Sequence, residues 1–300
     1  MEKKLLAEIV NLHTMPQGAY NFRKNGQPFS GHSTANIIIQ PKTEKSGIDI
    51  FVKANTRGES VHLPVIITEE GLTDLVYNTF YIGENAEVLI VAGCGIHNPG
   101  ERKSAHNGIH HFIVGQGARV RYVEKHYGSG SGGRILNPQT ILELSAEAHV
   151  DLEMVQMRGV DSTKRETKAV LASKAHLLIT ERLLTHEQQV AESEMKVDLK
   201  GVDSSVKIIS RSVAQDKSKQ VFYPQVAGFN KCQGYVQCDA IIMDQAIVRA
   251  IPEITAYHTQ AELIHEAAIG RIAGEQIIKL MTLGLSAEEA EETILEGFMN

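Results

Sequence analysis

A thiol, an imidazole and a carboxylate gather near one end of this 300-residue chain. Cys238 stands in Gln237-Cys238-Asp239, and 27 and 28 positions later His265 and Glu266 open the run His265-Glu266-Ala267. All three are competent ligands for a transition metal, since thiolates bind soft and borderline ions, imidazole suits iron or zinc, and a carboxylate is a hard donor. The segment between them reads as strand and turn. A second group lies upstream, where Cys94 and His97 are followed by His106, His110 and His111. Zinc would accept such ligands, but the spacing is not a familiar zinc pattern. Consecutive histidines on a strand point to opposite faces, so His110 and His111 share a site only across a bulge. Cys232 lies six residues before Cys238, an even spacing that puts both on one side of a continuous strand; burial as a small apolar side chain is the commoner fate of such a residue.

The elements that must position these residues carry a repeat. Asn85-Ala86-Glu87-Val88, Gly117-Ala118-Arg119-Val120, Glu147-Ala148-His149-Val150, Lys174-Ala175-His176-Leu177 and Asp203-Ser204-Ser205-Val206 align, with last residues 32, 30, 27 and 29 apart. Each is followed by alternation of period two, the pattern of a strand with one buried face. A period of about 30 residues made of strands and turns predicts stacked coils. The expected fold is mainly β, a right-handed parallel β-helix. A jelly roll or cupin-like double sheet is the competing reading, and the scarcity of two-residue hairpin turns counts against it: Asn25-Gly26 and Asn107-Gly108 are the only Asn-Gly or Asp-Gly pairs.

Helical spacing is confined to the ends. Leu5, Leu6, Ile9 and Val10 predict a short helix over the open end of the solenoid, within an N-terminal cap spanning 1–19. The β-helix core is expected over 20–258. In 259–300, Ile277, Leu280 and Met281 lead to a glycine stop at Gly284. Ser286 and Glu289 then form a capping box for a second helix whose Ala287, Ala290 and Ile294 share a face, completing a helical hairpin.

Composition narrows the function. With 42% hydrophobic residues the chain can bury a real core. No apolar run approaches the roughly 18 residues of a membrane span, and Glu2 and Glu8 interrupt the apolar pattern that a signal peptide would need; a cytoplasmic protein is expected. Three cysteines make no disulfide framework and fit reduced thiols or metal ligands. A net charge of -6 argues against nucleic acid as a partner. Gly128-Ser129-Gly130-Ser131-Gly132-Gly133 lacks the Lys-Ser/Thr ending of a phosphate loop and reads as a flexible connection. There is no Gly-x-Ser-x-Gly elbow or His-Glu-x-x-His helix, so neither a triad hydrolase nor a zincin is supported.

The C-terminal motifs also resemble a known family. Gln237-Cys238-Asp239, Ile251-Pro252, His265-Glu266-Ala267, Gly270-Arg271-Ile272, Glu275-Gln276, Leu285-Ser286 with Glu288-Glu289, and Gly297-Phe298 follow the order and spacing of the SufB/SufD family, scaffold subunits of the Suf iron-sulfur cluster machinery. Upstream, Ala92-Gly93-Cys94, His110 and Gly117-Ala118-Arg119-Val120-Arg121-Tyr122 resemble that family's Glu-Gly-Cys segment and the coil after it. The matches span about residues 90–298, and the cysteine at 238 makes the likeness nearer to SufB. The resemblance implies a parallel β-helix, pairing through the β-helices as a homodimer or with a SufB/SufD-type partner, and a SufC-like ABC ATPase docked on 259–298. It implies a transient iron-sulfur cluster built with Cys238, Glu266 and His265, and sulfur taken from a donor protein through Cys94. The chain is shorter than a typical SufB, so a compact scaffold is expected. Three cysteines cannot supply four thiolates, so a cluster would draw on His265, Glu266, a second copy or a partner. A scaffold of this kind is not an enzyme. The alternatives are a mononuclear zinc or iron enzyme of β-helix or cupin-like fold using Cys94 to His111, and a purely structural SufD-like partner.

Overall fold

The structure, a computed structural model, describes residues 2–10, 16 and 18–299. Its strands alternate between two sheets as the chain proceeds, forming a β-solenoid of about eight turns. The ten-stranded sheet runs, in spatial order, through Gln27–His32, Ala19–Lys24, Glu59–Ile67, Glu87–His97, Arg119–Ser129, His149–Arg158, His176–Thr185, Ser204–Ala214, Cys232–Ile242 and Ala261–Gly270. An eleven-stranded sheet faces it. Pairing is parallel except in two hairpins, Ala19–Lys24 with Gln27–His32 and Ile37–Pro41 with Gly47–Val52. The parallel register excludes the jelly roll. Asn25-Gly26 forms the turn of the first hairpin, whereas Asn107-Gly108 lies within the strand Ser104–Val114.

The sequence repeat has a direct structural meaning. Val88, Val120, Val150, Leu177 and Val206 are successive register partners and stack as one buried row. The first residues of the five motifs, Asn85, Gly117, Glu147, Lys174 and Asp203, all hold φ between 55° and 64°. A left-handed residue turns the chain sharply into the next strand, which explains the choice of small or polar types there. The second residue of each motif, Ala or Ser, is fully buried at the corner, where a larger side chain would not fit.

Helix α1 (Glu2–Val10) does not cover the open end. It lies across the outer face of the ten-stranded sheet, against Glu59–Ile67, Glu87–His97 and Arg119–Ser129, and buries Leu5 and Ile9. Gly93 admits it: a Cβ there would sit 2.7 Å from the Ile9 carbonyl oxygen. The side chain of Val10, and residues 11–15 within the expected cap, lie outside the described residues. The glycine-rich run is likewise no open linker. A Cβ on Gly130 would meet the Asn98 carbonyl oxygen at 2.2 Å, so the run is a corner where backbones of neighbouring coils touch.

The segment 259–300 opens with the strand Ala261–Gly270, and its helices follow as α2 (Gly274–Met281) and α3 (Ala287–Met299). Gly284 turns the chain between them at φ +101°. The capping box forms as expected: the Ser286 backbone N–H donates to Glu289 Oε2 at 2.7 Å, and the Glu289 N–H donates to Ser286 Oγ at 3.2 Å. Among the described residues, no helix is long and apolar enough to cross a membrane.

Candidate functional site

Alternation on the strand Cys232–Ile242 turns Cys232, Val236, Cys238 and Ala240 inward, all buried. The next strand, Ala261–Gly270, is the last of its sheet. In register, His265 lies beside Val236, Glu266 beside Gln237 and Ala267 beside Cys238. His265 therefore shares the inner face with Cys238 as a diagonal neighbour, and Glu266 points outward. Its carboxylate accepts a hydrogen bond from Tyr235 Oη at 2.8 Å. His265 Nε2 is buried and has no hydrogen-bond partner among the described residues. Of the three predicted ligands, the fold brings two to one face and sends the third to the other, as consecutive residues on a strand must go.

Cys94 also faces inward, on Glu87–His97, with His126 as its register partner. Five strand spacings separate the strand of Cys94 from that of Cys238, about 24 Å at 4.7–4.9 Å each. Cys94 borders a cavity of about 20 Å³ that His106, His110, Glu124 and His126 also line. The histidine group splits by parity. His106 and His110 are inside, held at Nδ1 by Asp74 Oδ2 (3.1 Å) and Tyr122 Oη (2.7 Å). His97 and His111 are outside, bonded to Ser129 Oγ (3.0 Å) and Glu143 Oε1 (2.8 Å). Among the described residues, no three His, Cys, Asp or Glu side chains are grouped to hold one metal ion. The expected Cys94–His111 centre is thus dispersed over two faces of the wall.

Between the two thiols runs a file of buried polar residues. Glu124 accepts from Tyr122 Oη at 3.0 Å and from Arg165 Nη1 at 2.5 Å. Arg165 Nη2 donates to His126 Nδ1 at 3.3 Å, and its Nε lies 3.7 Å from Glu181. Glu181 accepts from Ser193 Oγ (2.7 Å) and Ser210 Oγ (3.1 Å). Ser210 is the register partner of Cys238. The chain of groups thus leads from the neighbour of Cys94 to the neighbour of Cys238. Sequence reading passed over it, although period two from Val120 and Tyr122 puts Glu124 on the buried face.

Burial fixes the protonation of this interior. It pushes His126 down to about 3 and His110 to about 4, so both are neutral imidazoles at pH 7. Burial would by itself raise the Glu124 carboxyl, but His126, then Arg165 and His110, hold it below the usual carboxylate range. The thiols go the other way. Burial, then Asp74 and Glu124, raise Cys94 well above an ordinary thiol. Burial, then Glu181 and Asp239, push Cys238 up to about 12, and burial raises Cys232. A protonated, enclosed thiol is neither a nucleophile nor a ligand. The fold as it stands stores these thiols in an inert state.

The far end of the solenoid is open. Ile247, Ile254, Ile264 and Ile269 on its last strands remain substantially exposed. Solenoid ends normally carry a polar cap because an uncovered coil invites association. Beyond it, α2 buries no residue, and Ile278, Met281 and Leu283 expose 61%, 45% and 76% of their surface beside the acidic α3.

Comparison with known proteins adds a family to this geometry. Residues 65–298 match the family described as SUF system FeS cluster assembly, SufBD core domain. An iron-sulfur cluster assembly SufBD family protein of Pyrococcus horikoshii is 28% identical over 311 aligned positions, covering 99% of this chain and 94% of the relative. One from Methanocaldococcus jannaschii is 27% identical, covering 88% and 84%. One from Methanothermobacter thermautotrophicus is also 27% identical over 79% of this chain, and there the match spans only 58% of the relative's length.

Proposed function

We propose, for a chain that belongs to the SufBD family, that it is a non-enzymatic scaffold in the cytoplasm on which an iron-sulfur cluster is assembled and from which it is released. The observation that carries this reading is the buried polar file joining two inward thiols. Polar and charged groups inside a solenoid cost stability that apolar rows would not, and here they line the interior between Cys94, where sulfur would be accepted, and Cys238, where it would be held. Cys238 and His265 would hold the growing cluster from the inner face. Glu266, on the outer side of the last strand, would contribute at the rim, where a second subunit meets the open end. The cluster is cargo, and its shell is completed across that interface, by a second copy of the chain or a related subunit.

Because the thiols are inert in the closed solenoid, the scaffold needs a device that opens it. A SufC-like ABC ATPase docked on α2 and α3 would supply that motion, and the exposed apolar side chains of α2 beside acidic α3 suit a protein surface with basic residues. Deleting residues 273–300 should abolish co-purification with the ATPase while the solenoid stays folded by far-UV circular dichroism. A complex that persists would put the interface elsewhere.

Metal analysis separates the scaffold from the mononuclear enzyme. After anaerobic reconstitution we expect labile iron with a matching amount of acid-labile sulfide. One tightly held zinc per chain with no sulfide would favour the enzyme and overturn this reading.

A further inference from the structure

We infer that His149 and His176 form a binding site for a divalent first-row transition ion on the outer face of the ten-stranded sheet, apart from the thiols inside. The two residues are direct register partners on adjacent parallel strands, with ring centroids 4.6 Å apart and planes tilted by 39°. They border open grooves of about 650 and 460 Å³, the second lined by both. Both rings are anchored from behind. His149 Nδ1 lies 3.0 Å from the Glu147 carbonyl oxygen, which only accepts, so the proton sits on Nδ1 and the lone pair on Nε2. His176 Nδ1 is anchored at 2.6 Å to Ser205 Oγ, on the strand away from His149. With that nitrogen donating, its Nε2 is also a free lone pair.

Neither Nε2 has a protein partner among the described residues. Burial, then the neighbouring His149, lowers His176 below the ordinary histidine range, which keeps it neutral and able to ligate at pH 7. Anchoring at Nδ1 with Nε2 left for the metal is the arrangement that orients metal-binding imidazoles. Asp151, two residues along the same face, adds negative charge, while Arg119, the register partner of His149 on its other side, opposes it. With two protein ligands, water fills the remaining positions. Imidazole pairs of this kind favour Ni²⁺, Cu²⁺ and Zn²⁺ over Ca²⁺ or Mg²⁺.

The test uses Ni²⁺ and the full chain at pH 7.5, with His149→Gln and His176→Gln beside the wild type. Binding is measured by calorimetry, and the ion is located by mass spectrometry of diethyl pyrocarbonate modification. We expect one site, protection of both histidines by Ni²⁺, and a loss of affinity of about tenfold or more in each variant. Both side chains are only half-buried, so circular dichroism of the variants should match the wild type. Absence of binding, unchanged affinity in both variants, or unprotected histidines at saturating Ni²⁺ would overturn the site.

Discussion

Replacing Arg165 by alanine should destabilise the chain by about 3–5 kcal/mol, the scale for removing one partner of a buried ion pair. The guanidinium is 4% exposed, lies between Glu124 and Glu181, and also donates to His126. Without it, two buried carboxylates face each other across the core with no compensating charge. The direction with pH follows from Glu124. Its folded pKa lies below its unfolded one, so its contribution is present above the ordinary carboxylate range and is lost as pH falls through the folded value. In Arg165→Ala one of the charges that depress Glu124 is gone, so its carboxyl takes up a proton at higher pH than in the wild type. The stability gap between wild type and variant should therefore be widest near pH 7 and narrow as pH falls below about 4.5. Urea unfolding at both pH values measures it. A gap below about 1 kcal/mol at pH 7, or one that widens in acid, would mean that the file is not held by its charges.

The second large effect concerns reactivity. With its pKa pushed up to about 12, Cys238 at pH 8 would be thiolate in about one molecule in 10⁴, against roughly a quarter of a free thiol near pKa 8.5. Alkylation of Cys238 in the native chain should be slower than that of free cysteine by about three orders of magnitude, before steric protection adds to it. Cys94, walled in on one side by the core and on the other by the strand that α1 covers, should be at least as slow. Binding of an ATP-loaded ATPase should speed the reaction at Cys238 if it opens the solenoid. Rapid alkylation of Cys238 in the isolated chain would show that the thiol is already accessible and would remove the need for an opening step.

Much of this architecture is legible in the residue pattern, because a solenoid repeats its local rules. A left-handed turn residue, a buried Ala or Ser and a β-branched or leucine anchor recur in each coil, and the predicted anchors stack in register. The capping box and the Gly284 stop are equally local, and both form. What depends on packing across coils was less visible. The placement of α1 depends on Gly93, which means nothing until the helix is set against it. Strand parity separates His110 from His111 in the sequence itself, whereas the opposed directions of His265 and Glu266 emerge only with the strand Ala261–Gly270. The ion network was missed because Glu124, Arg165 and Glu181 are 41 and 16 residues apart in sequence and meet only when coils stack. Alternation puts Glu124 on the buried face, but nothing local to it names the partners that neutralise it.

Whether Cys238 holds the cluster is read from the visible absorption spectrum of wild type and Cys238→Ala after anaerobic reconstitution with iron and sulfide. The alanine replaces a small buried side chain and should leave the solenoid intact, which circular dichroism checks on the same samples. If Cys238 holds the cluster, the wild type shows the broad absorption of an iron-sulfur cluster and the variant loses it. An unchanged spectrum in Cys238→Ala would contradict it.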